Sequence, residues 1–251
     1  MAETPFTVRS SLVYDTALEA FPLAHNIKSL GNEQAWVGGV MAANPGFQIT
    51  LNVRGRPCVV LGGDDEAEEK VQRLLDAGAK VTVISPTLND TLRKLTASAK
   101  ILHRGRLFRS TDADSVMLVI NTLRTDREQA KSLYALATKE RFLLCSTDQP
   151  EFSTVMMPAL VKRGHLRLAV STSGVAPALA SRLRQDLERV FDERFVTFLD
   201  WLAQIRNDVQ AGEEDAEQRR VRLREAAEGF KLAATIEYPK DWLEETERQP
   251  G

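Results

Sequence analysis

Short apolar runs alternate along the middle of this chain with stretches whose apolar residues recur every three or four positions. Cys58–Leu61, Lys80–Ile84, Ile101–His103, Val116–Ile120 and Phe142–Cys145 have the length and apolar character of strands buried in a parallel sheet. Between them, Ala67–Leu75, Leu88–Ala97 and Arg127–Lys139 carry helical spacing. Gly78 closes the first of these helices at a C-cap position, and Ser85-Pro86 stops the second strand. This alternation predicts an α/β fold, a parallel sheet with helices on both faces.

The flanks read differently. Phe47–Val53 alternates apolar and polar residues and predicts a strand entering the domain. Ahead of it, Pro22, Gly31, Gly38, Gly39 and Pro45 interrupt every period, so residues 1–46 are an N-terminal extension. Residues 47–150 form the sheet domain. Beyond Pro150 the pattern changes: Leu166–Val170 predicts a strand within a connecting segment, 151–177. A helix then begins near Pro177, with Leu179, Leu183, Leu187 and Val190 on one side, and Phe195–Val209 makes a second with Trp201 and Leu202. Residues 213–228, rich in Glu and Arg, read as a third helix or a solvated arm, and Pro239 and Pro250 mark a frayed tail, so 178–251 is a small helical domain.

Composition narrows the function. With 251 residues, 43% hydrophobic and 27% charged, the chain suits one or two globular domains. A net charge of -2 supplies no basic field, which argues against a nucleic-acid partner. No apolar run reaches the ~18 residues of a membrane span, and the N-terminus lacks a signal-peptide pattern. A cytoplasmic protein is expected. Cys58 and Cys145 sit in strand-like runs and are expected as buried thiols rather than a disulfide or metal pair. His25, His103 and His165 have no metal-ligand spacing, so no metal site is assigned. A G-x-S-x-G elbow, a P-loop and a C-x-x-C pair are all missing from the sequence, which leaves hydrolase and nucleotide-hydrolysing readings without support.

Three segments could carry chemistry. Gly62-Gly63-Asp64-Asp65-Glu66-Ala67 follows a strand and opens a helix, where a dinucleotide-binding fold places its glycine-rich turn. Gly62 supplies the tight turn and Ala67 the close helix–sheet contact, but Asp64 stands where backbone must approach a pyrophosphate. A plain β–α turn with an acidic helix cap explains the same residues. Ser85-Pro86-Thr87 ends the second strand without the carboxylate that usually takes the ribose hydroxyls. Asp148, in Ser146-Thr147-Asp148-Gln149-Pro150 after the last sheet strand, is a candidate general base; a turn aspartate before Pro150 is the simpler alternative. Ser171-Thr172-Ser173-Gly174, between a strand and a helix, offers hydroxyls and amides that bind carboxylates or merely cap the helix.

Taken in order, these segments resemble the precorrin-2 dehydrogenase/sirohydrochlorin ferrochelatase family, the amino-terminal part of siroheme synthase and its stand-alone relatives. The likeness runs over 47–200, through Gly62-Gly63, Lys70, Leu74–Val83, Ser85-Pro86, Asp148, Phe152–Pro158, and Leu168–Gly174 with Ala176–Ala180. It implies a Rossmann-type domain, a dimerisation segment, a helical domain and a homodimer. It also implies NAD⁺-dependent oxidation of precorrin-2 to sirohydrochlorin and, in some members, Fe²⁺ insertion to give siroheme. Asp148 matches the family's important aspartate, a general base in both reactions, and Thr172 stands where some members carry a phosphorylated serine. The implied cofactor contacts are Gly62, Gly63, Asp64, Asp65, Glu66, Ala67, Ser85, Pro86, Thr87, Asn121 and Thr122, and the implied substrate contacts are Ser171, Thr172, Ser173 and Gly174. Lys162, Arg163, Arg167, Arg182 and Arg184 are candidates to pair with the macrocycle's carboxylates. Departures gather in the cofactor half: Asp64 at the third glycine, Glu66 at a small apolar position, Glu69 at an arginine, Asn121-Thr122-Leu123-Arg124 in the turn after the fourth strand, and Glu128 at an asparagine. A chelatase-only enzyme and a non-catalytic tetrapyrrole-binding protein are the alternatives.

Overall fold

A computed structural model describes residues 46–212 and 215–239. Most of the N-terminal extension, with His25, and the end of the tail lie outside the described residues. Five strands, β1 (Pro57–Leu61), β2 (Lys80–Ile84), β3 (Leu102–Arg104), β4 (Leu118–Asn121) and β5 (Leu143–Ser146), form one sheet in the order β3-β2-β1-β4-β5. Every pairing is parallel, with Cys58 of β1 beside Val81 of β2 and Leu118 of β4. Helices α1 (Asp65–Asp76), α2 (Asp90–Ala97) and α3 (Arg127–Glu140) are the crossovers between them.

The near-continuous apolar runs follow from this layering, because successive side chains of a strand face opposite helical layers. Val60, Val71, Leu74, Val83, Leu92 and Ile120 pack together on one face of the sheet. Val59, Leu61, Val119, Leu133, Ala137 and Leu144 pack on the other. Each of these valine, leucine and isoleucine side chains contributes about 1.5–3 kcal/mol on burial, before conformational entropy is subtracted. Cys58 and Cys145 lie inside β1 and β5 as buried free thiols, as expected. Helix ends also follow the sequence: Asp64, Asn89 and Asp126 cap α1, α2 and α3 with their side chains. Gly78 adopts φ 78° just past α1 and returns its amide to Leu75 O.

One expectation fails. Residues 46–53 form no strand. Alternation alone cannot make one without a partner edge, and here Phe47 and Ile49 are exposed while only Val53 is buried. A strand that the pattern did not reveal is β6 (Ala159–Arg163), which pairs with β7 (Leu166–Val170) in a two-stranded antiparallel sheet. Lys162 and Arg163 break its apolar run, so its pairing rather than its composition defines it.

Among the described residues three helices follow, α4 (Pro177–Val190), α5 (Glu193–Ala211) and α6 (Ala216–Ala227), the last within the stretch that read as a third helix or a solvated arm. Residues 46–160 and 169–185 group as one compact unit, and 161–168 with 186–239 as another. Within the second, Phe195 stands 4.7 Å from Phe191, and Phe198 stacks at 5.6 Å on Phe230 and 5.8 Å on Trp201.

Candidate functional site

The strand order reverses between β1 and β4, so their carboxyl ends bound the crevice where open α/β sheets bind ligands. Gly62-Gly63 leaves β1 there and Asn121-Thr122 leaves β4. Gly62 has φ 121°, a conformation that suits glycine, and an added Cβ would collide with the Thr122 hydroxyl. That hydroxyl donates to Leu61 O at 2.8 Å, and the Thr122 amide to the same carbonyl at 3.0 Å. At Gly63 a Cβ would collide with the Thr87 carbonyl and meet Ser85 Oγ at 2.9 Å. The Asn89 amide donates to Gly63 O at 2.7 Å. Both glycines are therefore required by the protein's own packing.

Asp64 begins α1 in extended conformation, and its carboxylate accepts the Ala67 amide at 3.0 Å. Asp65 accepts from the Asn89 side chain at 3.0 Å. Glu66 accepts a hydrogen bond from Arg124, whose Nε also lies 3.1 Å from Asp148 Oδ2. These two carboxylates, Glu66 before Asp148, raise the guanidinium's affinity for its proton. Of the expected contacts, then, Glu66 and Asp148 meet through Arg124. Ser85 is buried, its carbonyl 2.9 Å from His103 Nε2, whereas Pro86 and Thr87 are exposed. Asn121 is buried, its side chain accepting from the Leu123 amide at 3.1 Å, and its carbonyl accepts the Thr147 amide at 2.8 Å.

Asp148 stands in the loop after β5 with φ 58°, a left-handed backbone, and its side chain is 63% exposed. Ser146 and Gln149, on either side of it, are buried. Gln149 donates through Nε2 to Arg124 O at 2.6 Å, while its Oε1 and the Ser146 hydroxyl are buried without a hydrogen-bond partner among the described residues. An exposed acid in a left-handed backbone thus stands at the carboxyl edge of the sheet, beside two buried polar atoms that have no partner among the described residues. Arg124 and Gln149 were not singled out as site residues by sequence reasoning. Arg124 could have been, since it follows Asn121-Thr122 at the carboxyl end of β4.

Ser171-Thr172-Ser173-Gly174 forms a tight loop after β7. Thr172 Oγ1 accepts the Ala176 amide at 3.1 Å, and Ser173 and Gly174 have φ 54° and 84°. The Thr172 hydroxyl and carbonyl thus turn the chain into α4 by accepting the Ala176 and Val175 amides. Two arginines expected at a polyanion are engaged with backbone: Arg163 donates to Glu188 O at 3.0 Å and Arg167 to Gly164 O at 2.6 Å. Among the described residues, His, Cys, Asp and Glu form no cluster suited to a resident metal, and no helix is long and apolar enough to cross a membrane.

A family profile described as putative NAD(P)-binding matches residues 49–159, and one described as sirohaem biosynthesis protein, central, matches 163–189. The chain belongs to the precorrin-2 dehydrogenase/siroheme synthase family. It is 35% identical to the siroheme synthase of Methylobacillus flagellatus over 69% of this chain and 37% of that protein. To the siroheme synthase of Nitrosococcus oceani it is 34% identical over 64% of this chain and 34% of that protein. The chain thus spans little more than a third of the length of these relatives. A solved structure titled "SirC, precorrin-2 dehydrogenase" shares the fold, with a TM-score of 0.60 at 22% identity, covering 73% of this chain and 90% of that one.

The family implies a dinucleotide, and the turn can be tested for it. A pyrophosphate needs the amides at the start of α1 and an uncrowded, uncharged approach to them. Here the Asp64 carboxylate already occupies one of those amides, Asp65 and Glu66 follow it, and Arg124 is committed to Glu66 and Asp148. The domain is of the nucleotide-binding type; the residues at its turn do not fit a pyrophosphate.

Proposed function

We propose that this chain acts on a tetrapyrrole polycarboxylate of the siroheme route, with Asp148 as the group that accepts its protons. The single observation that carries this reading is the surroundings of Asp148: a left-handed, exposed carboxylate at the carboxyl end of the sheet, between buried Ser146 and Gln149 atoms that lack partners among the described residues. Of the two reactions the family resemblance implies, Fe²⁺ insertion into sirohydrochlorin suits this geometry better, because it requires proton removal and no nucleotide. Iron enters as substrate while two pyrrole N–H protons leave; Asp148 takes them in succession and, being exposed, releases each to water. The amides and hydroxyls of Ser171, Thr172, Ser173 and Gly174 are the proposed contacts for the ring's carboxylates.

NAD⁺-dependent oxidation of precorrin-2 to sirohydrochlorin is the second reading, favoured by the nucleotide-binding profile over 49–159 and opposed by the carboxylates at the turn. A homodimer is proposed because α4 carries exposed apolar residues at helical spacing, Leu179, Leu183 and Val190, with Val175 just before it. Two buried free thiols suit a reducing compartment such as the cytoplasm.

The test separates the readings. Purified protein is given sirohydrochlorin with Fe²⁺ under anaerobic conditions, or precorrin-2 with NAD⁺, and absorbance is followed. Siroheme formation above the uncatalysed rate, lost in Asp148→Ala, supports the chelatase. Sirohydrochlorin formation that depends on NAD⁺ establishes the dehydrogenase instead. Tight macrocycle binding with neither turnover leaves a carrier.

A further inference from the structure

We propose that the glycine-rich turn of this chain is closed to dinucleotides by its own side chains, with Asp64 in the place of a phosphate at the N-terminus of α1 and Arg124 as the internal counter-ion. Three observations converge on this. The Asp64 carboxylate makes, at 3.0 Å to the Ala67 amide, the contact a phosphate oxygen would make to a first-turn amide. Gly62 and Gly63 are filled against Thr122, Ser85 and Thr87, so the space a missing Cβ would leave for a ligand is taken by protein. The cation near the turn, Arg124, bridges Glu66 and Asp148.

The arrangement is self-consistent electrostatically. A helix N-terminus attracts negative charge, and this one holds Asp64, Asp65 and Glu66 in sequence. Asn89 holds Asp65 of that set, donating to it at 3.0 Å, and donates also to Glu68 further along the first turn at 2.6 Å. A pyrophosphate arriving here would meet carboxylates rather than open amides, and would have to draw Arg124 from both of its partners. The same guanidinium positions Asp148, so the turn acts as a brace for the carboxylate instead of a seat for a cofactor. This deepens the chelatase reading and rests on it only for the role of Asp148; closure of the turn stands on the geometry alone.

Binding, not turnover, tests it. NADH fluorescence and calorimetric titration with NAD⁺ are measured on the wild type, Asp64→Gly, Asp64→Asn and Asp64→Gly/Glu66→Ala, with circular dichroism to establish folding. The wild type should show no saturable binding up to about 1 mM. Asp64→Gly/Glu66→Ala should gain affinity by about tenfold or more as the amide and Arg124 are released, and Asp64→Asn, which keeps the cap without its charge, should gain less. Micromolar binding by the wild type overturns the proposal, and so does a folded double variant with no gain. Should the double variant fail to fold, absence of any gain in folded Asp64→Asn overturns it equally. Failure of siroheme formation would sink the chelatase reading while leaving these titrations intact.

Discussion

Two aspartates lie at the carboxyl edge of the same sheet and are treated in opposite ways. Asp112, in a short turn after β3, has a fully buried side chain that takes both nitrogens of the Arg106 fork at 2.6 and 2.7 Å. It also accepts from Arg104 and from the Arg109 amide at 2.8 Å. Asp148, after β5, is exposed, left-handed and tied to a single shared arginine. Hydrogen bonds from Arg106, then the Arg109 amide and Arg104, hold the Asp112 carboxyl far below the ordinary aspartate range against the opposing effect of burial. One acid is saturated with partners and serves the loop; the other keeps lone pairs and solvent access and can serve a substrate.

Substitutions should separate the two roles. Asp148→Asn removes the proton acceptor, so siroheme formation should fall by about a hundredfold or more while the thermal midpoint barely moves. Equal loss of stability in that variant would erase the contrast. Gly63→Ala, which drives a Cβ into the Thr87 carbonyl, should cost about 2–3 kcal/mol in a denaturant titration. Asp112→Asn should cost about 2–3 kcal/mol, since Arg104 and Arg106 are partly solvated, and leave activity per folded molecule unchanged. The pH dependence has a definite sign. A carboxyl depressed in the folded state contributes stability that is complete above its unfolded value of about 3.9. That contribution drains away as pH falls through the lower folded value, so wild type and Asp112→Asn should converge in strong acid. The smallest effect sharpens the comparison most: Asp148→Gly relieves the φ of 58° and should stabilise the fold by about 0.5–1 kcal/mol while abolishing turnover.

The sheet was legible because its strands are buried on both faces and its helices announce their ends. Val59, Val60 and Leu61 can only be read as a double-sided strand, and Gly78 sits where a helix must stop. Phe47–Val53 misled because alternation signals a surface, not a partner, and β6 was hidden by the charges of Lys162 and Arg163. At the candidate site, the place of Asp148 after the last strand fitted a turn aspartate equally, and only the family resemblance singled it out. Its connection to Glu66 through Arg124 could not be read at all, since 58 residues separate Arg124 from Glu66 and only the parallel pairing of β1 with β4 brings them together. Asp64 showed its nature as an anomaly in the glycine pattern, but whether its carboxylate points at the helix amides or away from them is a matter of backbone geometry.

The two thiols of the sheet make the protein its own reporter of opening. Burial pushes Cys58 in β1 up to about 11 and raises Cys145 in β5 as well, so neither is appreciably ionised at neutral pH. Alkylating reagents can reach these sulfurs only when strands part, and the kinetics of labelling would then time the rupture of the sheet from its centre and from one border without any added probe.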